Sequence, residues 1–324
     1  MTRLCTYSVG DDVRLGIVLD DRVADLNLAR AIVQPADVDR ASRDAWPTMI
    51  DFLAEGAAGA QIARDLEASF LERGEEALRG PDKARVFYGL DEIRLLAPVP
   101  RPPKILCLAG NYAAHVREGP RGASAQLPVD IHVFTKFPST GVIGHDEPIV
   151  VSSRVTKLDY ELELGVIIGK RGRYIPAERA LEHVGGYTVF NDVCDREYMP
   201  SAERAIHWFA MKSQDNFAPM GPCLLLAQDV PDPNDLDIKL WVNGELRQDA
   251  NTSDMVFSVA QVVSKLSDFV TLEVGDVIAT GTPAGNGWSR GIFLQDGDVV
   301  EAQVTGIGLL RNRIAFEEPV YRAG

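Results

Sequence analysis

The stretch LDYELELGVIIG, residues 158–169, sets two glutamates in an otherwise apolar run and ends in an uninterrupted apolar segment. Side chains alternate between the two faces of a strand. Glu161 and Glu163 therefore share one face, and Tyr160, Leu162 and Leu164 occupy the other. The run GVIIG that follows is apolar on both faces, as expected of a strand whose far end is buried. Two carboxylates side by side repel, and on a half-buried strand each also loses hydration. Such a pair belongs either on a solvent-facing sheet edge or on either side of a cation.

Around this stretch the chain has 324 residues, enough to bury a large core in one or two domains. A net charge of −14 with no basic run is the wrong sign for a phosphate-binding surface, so nucleic acid is not an expected partner. The N-terminal MTRLCTYSVGDD lacks the apolar core of a signal peptide, and no stretch approaches the roughly 20 apolar residues of a membrane span. Cys5, Cys107, Cys194 and Cys223 are scattered without a CxxC, which reads as four buried thiols in a reducing cytoplasm rather than a zinc site.

Residues 1–86 read as a small α/β module. LCTYSVG and RLGIVLDDRVADL suggest short strands joined by Asp-rich turns, and residues 46–78 carry helical periodicity. The proline-rich PVPRPP then marks a rigid entry to a second region, residues 100–324, which opens with the compact strand KILCLAG. Beyond residue 120 only PAERALEHV and SVAQVVSKLSDFV read as helices; Val-, Ile- and Leu-rich strands alternate with Gly-, Asp- and Pro-rich turns. The expected class is α+β and β-rich, with strands folding over one another rather than repeating βαβ units.

A third acid bears on the glutamate pair. GGYTVFNDVCDRE places Asp192 where an apolar strand gives way to a turn. Three carboxylates from two strands would make a hard, all-oxygen site suited to magnesium, manganese or calcium. In NYAAHVREG, His115 and Glu118 are three apart, so on a helical turn they face each other. A carboxylate beside an imidazole orients it and raises its basicity, as a water-activating base requires. Lys212, in HWFAMKSQDNFAPMGP, is a lone cation in an aromatic, apolar setting, suited to an anionic substrate. TGTPAGNG, residues 280–287, offers the Thr282 hydroxyl and backbone N–H groups to a carboxylate, without the GK[ST] ending of a P-loop. The remaining histidines (His132, His145, His183 and His207) show no ligand spacing.

The succession KILCLAGNYAAH, KLDYELELGVIIG, GYTVFNDVCDRE, KSQDNFAPMGP and EVGDVIATGTPAG resembles the fumarylacetoacetate hydrolase family, in family order over about residues 100–315. The resemblance implies a mixed β-roll, β-barrel-like catalytic domain and a homodimer. It also implies a divalent metal, usually Mg²⁺, held by Glu161, Glu163 and Asp192. His115 and Glu118 then form the family's dyad, Lys212 its positioning lysine and Thr282 its carboxylate-contacting threonine, with Arg196 in the substrate-binding region. Members act on 2-oxo acids, 1,3-diketones and their enols. One departure stands out: where the family commonly reads NDVSARDLQ this chain reads NDVCDREYM, so Met199 replaces a glutamine in a region that often lines the substrate pocket.

On this reading the metal chelates a 2-oxo acid and steadies its enolate, while His115 draws a proton from water. The first expectation is hydrolysis of a C–C bond in an acylpyruvate-like or other diketo acid. The alternative is a lyase or isomerase, such as a decarboxylase, hydratase or enol-diacid isomerase, on a related 2-oxo acid. A catalytically silent protein that keeps the fold is a third reading, against which the intact dyad and acids speak. The segment from Ala113 to about Leu127, poor in large apolar anchors, is expected to act as a lid over the site.

Overall fold

In the computed structural model, which describes residues 1–33, 45–73, 85–119, 122–202 and 205–320, the strand Leu162–Ile168 lies in the interior of the larger of two facing sheets. It is hydrogen-bonded on one side to Val184–Asn191 and on the other to Val277–Ala279, both antiparallel. The solvent-facing edge is thereby excluded: Glu161 and Glu163 are 5% and 1% exposed. The period of two holds. Tyr160, Leu162, Leu164, Val166 and Ile168 point into one buried apolar cluster, and Ile167, on the face of the glutamates, points into a second.

Among the described residues the larger sheet has 12 strands, running from Phe87–Gly89 at one edge to His132–Lys136 at the other. Pairing within it is antiparallel except for Ile105–Ala109 with Val277–Ala279 and the short Val142–Ile143 with Ala218–Leu226. The smaller sheet runs Glu245–Asn251, Asp237–Val242, Val299–Val304, Gly308–Glu317 and Ile149–Ser152. The first cluster fills the space between the sheets, with Leu164 and Tyr187 from one and Ile238, Leu240 and Val300 from the other. On the opposite face Leu26–Val33, Met49–Ala54 and Gly56–Arg73 bury Leu26, Phe52 and Leu66 against Leu4, Phe190 and Leu224. The fold is mixed α+β, and both sheets are open: no closed barrel forms among the described residues.

The expected N-terminal strands are Arg3–Val9, Asp12–Leu19 and Arg22–Asp25, and they extend the same large sheet, since Arg3 and Leu4 pair with Leu225 and Leu224. The helical pattern of residues 46–78 yields two helices, because Gly56 takes φ +58° and breaks the ladder; its part beyond residue 73 lies outside the described residues. PAERALEHV forms 3₁₀ turns over Ala177–His183 instead of an α-helix. SVAQVVSKLSDFV is helical over Val259–Phe269, with Ser258 and Gln261 closing a reciprocal cap.

Candidate active site

Glu161 stands one residue before its strand and Asp192 one residue after the neighbouring strand, so antiparallel pairing of Leu162 with Asn191 sets the two acids side by side. Asn191 Oδ1 accepts the Glu161 N–H (3.0 Å) and the Glu161 carbonyl accepts the Asp192 N–H (2.8 Å), which fixes the corner. One carboxylate oxygen from each of Glu161, Glu163 and Asp192 lies within 4.8 Å of the others. All three acids are buried.

The cations nearby satisfy only some of these oxygens. Lys212 Nζ donates to Glu161 Oε2 (2.5 Å) and Asp192 Oδ2 (2.6 Å). Arg196 donates through Nε to Asp159 Oδ2 (2.8 Å) and through Nη2 to Glu161 Oε1. Lys136 Nζ is 2.7 Å from Asp192 Oδ1, but its three protons go to the carbonyls of Val193 (2.7 Å), Lys212 (2.8 Å) and Phe217 (2.7 Å). Asp192 Oδ1 thus has a positive neighbour and no proton, and Glu163 Oε1 has no hydrogen-bond partner at all. Glu163 Oε2 accepts the Gly281 N–H (2.6 Å).

Burial raises the Glu163 carboxyl well above the usual range, and the charges of Asp192 and Glu161 push it further. Burial alone would raise Glu161 as well, but Arg196 and Lys212 outweigh it and hold that carboxyl well below the usual range. Asp159, Glu161, Glu163 and Asp192 number four carboxylates against the three cations Lys136, Arg196 and Lys212. If all four are ionised, one negative charge is left over; with two buried carboxylate oxygens lacking proton donors and only oxygen ligands, the site fits a hard divalent cation, which would favour the ionised form of Glu163.

His115 and Glu118 sit on the one-and-a-half-turn helix Ala113–Glu118, where Nδ1 and Oε1 meet at 2.9 Å. The second Glu118 oxygen accepts the Gly285 N–H (2.9 Å), docking this helix on the TGTPAGNG turn. Of the expected lid, residues 120 and 121 lie outside the described residues. Thr282 lines the same cavity as His115, Glu161, Glu163, Arg196 and Lys212, and its hydroxyl oxygen accepts from Gln248 Nε2 (2.9 Å). All eight candidate residues therefore converge: six line one cavity, Asp192 adjoins it through its contact with Lys212, and Glu118 stands directly behind His115.

Four positioning residues escaped the sequence reading. Asp159 accepts Arg196 and the N–H groups of Gly287 (2.7 Å) and Trp288 (3.0 Å), tying the glycine-rich turn to the acids. Gln248 receives the Leu162 N–H (2.9 Å) while it holds Thr282 and the Pro283 carbonyl. Asn191 fixes the corner described above, and Lys136 completes the set. Asp159 had a signal, since it precedes Glu161 by the same two-residue step; Lys136, between aromatic residues in HVFTKFPST, had the one that marked Lys212.

Residues 104–315 match the fumarylacetoacetate (FAA) hydrolase C-terminal family, and the chain belongs to that family of enzymes. It is 38% identical over 306 residues to the oxaloacetate tautomerase YisK of Bacillus subtilis (strain 168), covering 93% of this chain and 95% of that protein. It is 37% identical over 251 residues to the human mitochondrial oxaloacetate tautomerase FAHD2A, covering 76% of this chain and 78% of that one. Among solved structures it is similar to maleylpyruvate hydrolase from Sphingobium sp. SYK-6 in complex with manganese(II) and pyruvate, with a TM-score of 0.70 at 30% identity, over 98% of this chain and all (100%) of that chain.

Proposed function

We propose that the protein is a divalent-metal-dependent tautomerase of a 2-oxo acid, interconverting its keto and enol forms. The observation that carries this reading is the Glu161, Glu163 and Asp192 cluster with its undonated oxygens, set against the preformed His115–Glu118 pair. A divalent cation held by these three acids would supply the positive charge that makes protons beside a keto group acidic. We assign magnesium, with manganese or calcium as alternatives on the same oxygen ligands.

The chain's own residues then divide the work. Glu118, anchored by the Gly285 N–H, holds His115 through Nδ1 and leaves Nε2 for the proton moved to or from carbon. Lys212 keeps its charge beside the reacting oxygens: burial disfavours that charge, but Asp192 and Glu161 hold its pKa well above the usual lysine range. Thr282, accepting from Gln248, keeps its own proton for the substrate carboxylate.

Hydrolysis of an acylpyruvate-like acid is the second reading. It is favoured by the dyad, which suits a water as well as a carbon acid, and by the likeness to maleylpyruvate hydrolase. Sequence reasoning ranks hydrolysis first; the tautomerase relatives support the reverse order. The experiment follows enol-to-keto conversion of oxaloacetate and phenylpyruvate by absorbance, and acetylpyruvate by NMR, with Mg²⁺-loaded protein. Accelerated conversion with acetylpyruvate left whole is expected. Acetate and pyruvate appearing without faster tautomerisation would replace this reading by the second.

The same proposal includes a cytoplasmic homodimer. Four buried free thiols suit a reducing compartment, and no helix among the described residues is long and apolar enough to cross a membrane. The exposed aromatic edge of Phe137 and Phe209, 46% and 61% accessible, suits a self-association surface. Light scattering should give twice the 35.4 kDa chain mass.

A further inference from the structure

Tyr160 stands immediately before Glu161 and points the other way, into the apolar cluster between the sheets. It is 3% exposed, and its hydroxyl donates to the Gly285 carbonyl (3.1 Å). A buried phenol needs a partner for its O–H, and a phenylalanine would fill the same space without one. The partner here is a residue that also serves the dyad.

Gly285 gives its N–H to Glu118 Oε2 (2.9 Å), and Glu118 Oε1 meets His115 Nδ1 (2.9 Å). The helix Ala113–Glu118 buries none of its residues. Among the described residues, the bond from Gly285 is the only hydrogen bond between a side chain of this helix and another element. With so little packing to hold the helix, the place of Gly285 sets where His115 stands.

Gly285 is itself held. It has φ +105°, and a Cβ there would stand 2.1 Å from the Arg247 carbonyl oxygen, so it lies pressed against the strand Glu245–Asn251. The Tyr160 hydroxyl ties its carbonyl, and two residues further on Asp159 accepts the N–H groups of Gly287 (2.7 Å) and Trp288 (3.0 Å). Residues 159 and 160 thus grip the turn that anchors the dyad, while Glu161 and Glu163 supply the acids. One short segment places both halves of the site.

We propose that Tyr160 is a positioning residue for the reaction, fixing His115 relative to the acids through Gly285 and Glu118. This inference rests on the tautomerase reading above.

Tyr160→Phe keeps the ring and removes only the O–H. With the Mg²⁺-loaded variant and phenylpyruvate, kcat for tautomerisation should fall about tenfold, part of the loss that misplacing a reacting group by 1 Å produces. KM and the calorimetric affinities for Mg²⁺ and oxalate should not change. On a Glu118→Ala background the same substitution should lower kcat no further, because the path to His115 is already cut. A hydroxyl that merely stabilises the fold would lower kcat by the same factor in both backgrounds, and that result overturns the assignment. So does an unchanged kcat in Tyr160→Phe. Weaker Mg²⁺ or oxalate binding overturns it too, since the phenol would then serve the acids rather than the base. Each of these outcomes leaves the tautomerase reading standing. Wild-type protein that fails to accelerate tautomerisation overturns both.

Discussion

Glu118 illustrates how a single side chain divides its two oxygens between chemistry and architecture: one holds His115, the other the Gly285 N–H. Because Glu118 stands outside the acid cluster, Glu118→Gln and His115→Gln should keep Mg²⁺ and oxalate affinity by calorimetry while turnover falls about 10²–10⁴-fold. The pair acts as a unit, so the double variant should lose little more than either single one. Wild-type turnover in both single variants would remove the dyad from the mechanism. Lys136 makes a contrasting case, being spent on three carbonyls and a carboxylate in a fully buried corner. Lys136→Met should cost on the order of 3–5 kcal/mol in denaturant titrations, since it leaves a buried charge and three acceptors unmatched. An unchanged midpoint would mean that corner relaxes freely. At this scale the site was largely legible, because carboxylates in a two-residue step, an HxxE turn and a lone lysine among aromatics are local patterns. Gln248 was not: it acts across the space between two sheets, and nothing in ELRQDAN distinguishes it from its polar neighbours.

The turn TGTPAGNG shows what one element must do geometrically. Gly281 has φ +98°, and a Cβ there would stand 2.7 Å from Asn111 Cβ, while its N–H steadies Glu163. Gly281→Ala should therefore weaken Mg²⁺ binding about tenfold or more, through both strain and displacement of that N–H. Gly10, with φ +59° and open space around it, is the control. Gly10→Ala should cost roughly 1–2 kcal/mol of stability and leave metal affinity alone. Equal metal affinity in the two variants would separate Gly281 from the site. Elements were legible where chain ends carried caps, as Ser258 and Gln261 do for Val259–Phe269. They were misread where a backbone angle decided: Gly56 at φ +58° splits a pattern that reads as one helix, and residues 177–183 tighten into 3₁₀ turns between Pro176 and the strand that starts at Val184.

Across the whole molecule, the N-terminal strands are not an appendage to the large sheet but one flank of it, joined through Arg3–Val9 and Ala218–Leu226. Residues 87–324 alone would expose an unpaired strand together with Leu4's partners in the second apolar cluster. That fragment should bind a hydrophobic dye and melt at least ~10 °C below the full chain. A fragment as stable and as monodisperse as the whole would make residues 1–86 a separate module in the strict sense. The β-rich α+β class was legible from strand alternation and turn residues. Sheet order was not, since the pairing of Arg3 with Leu225 joins distant segments by burial alone, and each segment reads locally as an ordinary apolar strand.

If the three acids and the dyad act together on a 2-oxo acid, the proton beside its keto group should become exchangeable. Proton NMR of phenylpyruvate in D₂O measures this directly, as loss of the C3 signal with the Mg²⁺-loaded protein, the EDTA-treated protein and Glu163→Gln. Exchange well above the solution rate is expected with Mg²⁺, abolished by EDTA, restored by added Mg²⁺ or Mn²⁺, and lost in Glu163→Gln with the fold intact. Exchange that is equally fast in the metal-free protein or in Glu163→Gln would rule out a metal-dependent proton transfer at these acids.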